Sequence, residues 1–212
     1  MLIRLAPLSL LAMAATASAG LIDGFDGSSS GSSTTTFSDT ISGGSVFGGA
    51  REIKLDTYGG TLSSPWSFSE SGGALSLTRA TSDGGDFFIQ YGAGTGSAGR
   101  DNALGAGNDI LRITFGANTG IVNVNAQIQS WDGGYSNFVT ATRLGSGGGA
   151  GGVLDLDFSG EATQNFGVIR IYVTPIDANT SITVDSIEAV PEPASIAVLG
   201  LGLAAFRRRA KR

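Results

Sequence analysis

Short apolar–polar alternations run through the chain from about residue 50 onward. In REIKLDTY, Ile53 and Leu55 share one parity, and Glu52, Lys54 and Asp56 share the other. GALSLTR sets Leu75 and Leu77 against Ser76 and Thr78, and DFFIQY puts Phe87, Ile89 and Tyr91 together. DILRITF, IVNVNAQIQSW, NFVTATRL, VLDLDF, GVIRIYV and SITVDSI repeat the pattern. Alternation with period two marks a half-buried antiparallel strand. Nine such segments, with no long helical period between them, predict an all-β fold built as an antiparallel β-sandwich. GSSSGSSTTT, residues 27–36, is low in complexity and reads as a loop; GSGGGAGG, residues 145–152, reads as a flexible connection.

The two ends do not fit this pattern. Arg4, the apolar run Leu5 to Ala15 and the small-residue site Ala17-Ser18-Ala19 read as a signal peptide over residues 1–19, with export by the Sec route. The folded part is then residues 20–190, enough for one core. Six of the 13 Lys and Arg and one of the 18 Asp and Glu fall outside it. That leaves seven cations against 17 acids, a net charge near −10. Such a domain is a poor fit for nucleic acid, which is bound through clustered cations. With no Cys and no His, disulfides, Ser-His-Asp and Cys-His catalysis and the usual zinc sets are absent.

LIDGFDG at the start, the REIKL strand and ITVDSI at the end resemble the jelly-roll sandwiches of carbohydrate-binding modules and galactose-binding-like domains. In those folds the first and last strands are neighbours and hold a structural Ca²⁺. The resemblance implies Asp23, Asp26 and Asp185 as its ligands, and calcium takes several oxygen donors together. The turn position of Asp23 and Asp26, near Gly, explains them equally well.

One polar strand face draws attention. Asn123, Asn125, Gln127, Gln129 and Trp131 share parity, so on a strand they project together every ~6.6–6.8 Å. Amides donate to and accept from sugar hydroxyls, and Trp offers a flat apolar surface. Arg112 and Gln90 are expected to join from neighbouring strands. An ordinary solvated face has the same alternation. Asp155 and Asp157 have a spacing compatible with a hydrolase pair, as does the polar parity of any amphipathic strand. A lyase is a further alternative, but no catalytic set stands out, so the expectation is a protein that is not an enzyme.

The tail, AVPEPASIAVLGLGLAAFRRRAKR, ends the last strand at prolines, which supply no ladder donor. Residues 194–206 form an apolar run that as a helix spans ~20 Å, short of a ~30 Å hydrocarbon core. The run therefore predicts a short transmembrane helix, with the cations of 207–212 on the cytoplasmic side. Pro191, Glu192 and Pro193, the helix, and the cluster Arg207, Arg208 and Arg209 resemble the PEP-CTERM sorting signal of Gram-negative, often biofilm-forming bacteria. The resemblance implies processing by an exosortase at the inner membrane. It also implies a cell-envelope, surface or matrix location, often alongside exopolysaccharide.

Overall fold

The computed structural model describes residues 19–42, 46–81, 84–92, 108–130, 139–144, 151–159 and 166–191. The proposed signal peptide before Ala19, Trp131, Pro193, and the tail helix and its cations all lie outside the described residues. Among the described residues no helix is long and apolar enough to cross a membrane.

All nine alternating segments are strands. They are β4 (Ala50–Asp56), β6 (Ala74–Arg79), β7 (Asp86–Tyr91), β8 (Ile110–Asn118), β9 (Ile121–Ser130), β10 (Val139–Leu144), β11 (Gly152–Asp157), β12 (Phe166–Pro175) and β13 (Thr180–Val190). Four more join them: β1 (Gly20–Asp23), β2 (Ser29–Ser33), β3 (Phe37–Ser42) and β5 (Trp66–Ser71). The first sheet runs β11-β8-β13-β6-β5-β2, with β1 also on β13; the second runs β10-β9-β12-β7-β4-β3. The named pairs are all antiparallel. The first and last strands are indeed neighbours: Gly20 pairs with Ala189.

The inner parities close on each other as one core. Trp66 of the first sheet meets Phe87 of the second with ring centroids 5.4 Å apart. Ile53, Leu75, Leu77, Val122, Val124, Ile171 and Ile182 are all fully buried in it. Gly72 and Gly73, both at positive φ, turn β5 into β6 as a two-residue hairpin.

Residues 27–36 correct the loop expectation. Ser29–Ser33 is an edge strand whose backbone pairs residue by residue with β5. Serine has little β-propensity of its own, but the pairing partner supplies the ladder. Gly31 is what lets the strand sit so close. A Cβ there would meet Phe68 Cε1 at 2.5 Å and Phe37 Cε1 at 2.8 Å. Gly31→Ala is therefore expected to cost about 1–3 kcal/mol through overpacking, read as a lower urea midpoint with an unchanged slope.

Candidate functional site

The outward parity of the second sheet carries the candidate site. Its register sets residues side by side across three strands. Glu52 of β4 lies beside Gln90 of β7, and Gln90 lies beside Arg170 of β12. One rung along, Lys54, Phe88 and Tyr172 align in the same way; beyond them Asp56 faces Asp86. Tyr58, just past β4, closes the end. Together these nine side chains line a groove of about 380 Å³.

Phe88 and Tyr172 pack edge to face with centroids 4.9 Å apart, so each fixes the other's ring. Arg170 donates from Nε to Gln90 Oε1 at 2.5 Å and lies 5.9 Å from the Phe88 ring centroid. Lys54 Nζ is 3.6 Å from Asp56 Oδ2. Tyr58 donates to Asp86 Oδ2 at 2.5 Å. Burial first, and then that carboxylate, push the Tyr58 phenol well above its ordinary range, so it remains a donor. The other oxygen of Asp86, Oδ1, is buried and accepts no hydrogen bond among the described residues. A buried acceptor without a donor is costly, and because Oδ1 is closed to solvent it is Oδ2, beside the Tyr58 hydroxyl, that Asp86 presents at the groove.

The amide row adjoins this groove. On β9, Gln127 is the register partner of Arg170, Asn125 of Tyr172 and Asn123 of Thr174. All three amides are partly exposed, while Val122, Val124 and Ala126 between them are buried. Gln129 lies on the same strand opposite Val168. Gln90 joins the face as expected. Arg112 does not: β8 belongs to the first sheet, and Arg112 forms a two-pronged pair with Asp155, 2.8 Å at each prong. Consecutive strands β8 and β9 lie in different sheets, so neighbours in sequence face opposite sides of the molecule.

The three candidate calcium ligands do not gather. Among the described residues no group of three or more acids or other ligand side chains could hold a metal. Asp23 is fully buried and already engaged, accepting from Phe25 N at 2.8 Å, Tyr91 Oη at 2.9 Å and Arg51 Nη1 at 2.5 Å. Asp185 lies on β13 with its carboxylate against Gly116 of β8, and Asp26 is exposed beyond β1. The turn reading of Asp23 fits the Phe25 N–H that it accepts. Asp155 is held by Arg112, and Asp157 accepts from Ser159 N at 2.7 Å, which holds its carboxyl below the usual range.

The sequence reading missed the groove's aromatics, Phe88, Tyr172 and Tyr58. A signal existed for the first two: each is an aromatic on the polar parity of an alternating strand.

Solved structures with similar folds include carbohydrate-binding modules. A family 11 module from Clostridium thermocellum, solved with a β-1,3-1,4-mixed-linked tetrasaccharide, gives a TM-score of 0.42 at 12% identity, covering 82% of this chain and 95% of that one. A family 29 module variant gives 0.42 at 15% identity, covering 73% and 85%. A family 28 module specific for non-crystalline cellulose gives 0.39 at 14% identity, covering 57% and 78%. No curated protein matches the chain. The C-terminal segment does have a match: residues 189–212 are a PEP-CTERM protein-sorting motif, which implies exosortase processing and marks an exported protein of the cell envelope or surface.

Proposed function

We propose that the sandwich, of jelly-roll type, binds polysaccharide without cleaving it, through the outer face of its second sheet. The protein is delivered by the Sec route in a Gram-negative bacterium and works at the surface or in the biofilm matrix. Its partner there is an exopolysaccharide.

The groove around Phe88, Tyr172 and Asp86 carries this reading. A fixed aromatic pair offers apolar surface to a pyranose face. At the end of the groove Asp56, Tyr58 and Asp86 lie together, and carboxylates and a phenol there accept from and donate to sugar hydroxyls. The amides of β9 extend the polar edge along the same face, so a chain of several sugar units has contacts beyond the groove. Engagement of Asp155 by Arg112 and of Asp157 by Ser159 favours binding over hydrolysis.

Affinity electrophoresis of the chain through gels containing soluble neutral and acidic polysaccharides tests it. At least one polysaccharide is expected to retard the wild type, with no reducing ends released. Asp86→Ala is expected to weaken retardation roughly tenfold, the worth of about one charge-assisted hydrogen bond. No retardation by any polymer would favour a purely structural surface protein. Release of reducing ends would favour a hydrolase.

A further inference from the structure

The sorting motif begins inside the fold. It starts at Ala189, whereas β13 continues to Val190. Ala189 is 2% exposed and Val190 5%. Ala189 is paired on both sides, with Gly20 of β1 and Leu111 of β8, and Val190 pairs with Ile110. Only Pro191 separates this last rung from Glu192. The β1 side of the clamp is itself anchored, because Asp23 is tied to Arg51 and Tyr91 in the core. Since β1 and β13 are antiparallel, the chain before Gly20 and the chain after Val190 leave the sandwich at the same end.

A bound peptide is commonly held extended over several residues, at ~3.3 Å per residue. Pro191 alone gives the enzyme one residue of reach. We propose that the sorting enzyme acts on this chain only after the last rungs of β13 have opened, so that the β1–β13–β8 clamp sets the rate of processing. This rests on the tail being a processed sorting signal. Strand ends are where local opening costs least, so the motif is shielded yet reachable, and its processing responds to how firmly the sandwich end is closed.

A staple tests this. Ile110→Cys with Val190→Cys places two thiols on the last rung, where antiparallel partners lie ~4.5–5.5 Å apart between Cα atoms, within disulfide reach. The full chain is incubated with membranes carrying the sorting enzyme, and tail loss is followed by mass. The oxidised staple is expected to slow processing at least tenfold, and reductant to restore it. A Gly/Ser spacer of about ten residues between Val190 and Pro191 is expected to restore it without reductant. Wild-type rates for the oxidised staple, or a spacer that leaves the stapled chain slow, would overturn the proposal. The latter result would mean that the enzyme reads the sandwich end directly. A wild-type chain and a spacer variant that both keep their tails would instead overturn the reading of the tail. A melting curve of the oxidised chain confirms that it is folded.

Discussion

Arg51→Met is expected to lower the unfolding free energy by about 3–5 kcal/mol at pH 7, a large part of the ~5–15 kcal/mol that a domain usually has. Arg51 is buried between the sheets and ion-paired with Asp23 of β1 and Glu70 of β5. Its guanidinium also lies 5.0 Å from the Phe25 ring centroid. Glu70 in turn accepts from Gly27 N at 2.8 Å. The cluster thus ties the N-terminal segment to β4, β5 and β7. Without Arg51, two carboxylates are left buried with no cation. Arg112→Ala, which breaks an exposed pair, is expected to cost no more than about 1 kcal/mol. Urea unfolding of both variants measures the contrast, and equal losses would mean that the buried cluster relaxes.

The same cluster gives the loss a pH dependence. Burial raises Asp23 above its ordinary value, against the Phe25 N–H, Arg51 and Tyr91, which pull it down. A carboxyl raised in the folded state binds its proton more tightly there than in the unfolded chain. That contribution favours folding below about pH 3.8 and is lost as pH rises through the folded-state value. As pH falls through that range, protonated Asp23 needs Arg51 less, so the penalty of Arg51→Met is expected to shrink. A penalty that is constant from pH 7 to pH 4 would show that Asp23 stays ionised.

What the sequence revealed divides along physical lines. The nine alternating strands were legible because a half-buried strand must alternate, and inward residues such as Ile53, Leu75, Phe87, Val122 and Ile171 lie in the core. β2 was not legible, since SSGSS has no hydrophobic parity and becomes a strand only by pairing with β5. β5 was obscured by Glu70, a charge on an inward position. That charge makes sense only once Arg51 arrives from β4 in the opposite sheet. Sheet membership is equally non-local. Nothing in residues 110–130 says that Arg112 and Asn123 face opposite sides of the molecule. The sorting motif was legible because its signal is contiguous: prolines, an apolar run and cations in one order. The groove is assembled from β4, β7 and β12, with 80 residues separating Gln90 from Arg170, and no linear motif records such a juxtaposition.

Tyr172→Ala is expected to weaken binding of the retained polysaccharide roughly tenfold to a hundredfold. The ring lies on the central strand of the outward face, between Phe88 of β7 and Asn125 of β9. It therefore contributes to both the groove and the amide row. Burying an aromatic side chain against a ligand contributes ~1.5–3 kcal/mol, and each 1.4 kcal/mol is about tenfold in Kd. The substitution also removes the edge-to-face partner of Phe88, so the remaining ring loses its fixed orientation. Stability should change little, since Tyr172 points away from the core and its neighbours Ile171 and Val173 fill it. Tyr172→Phe keeps the ring and is expected to retain most of the affinity if stacking dominates. A loss as large as that of alanine would instead assign the work to the phenol. Titration calorimetry of the three proteins, each first checked by its urea midpoint, separates these outcomes. An alanine variant that binds as well as the wild type would move the site off this face altogether.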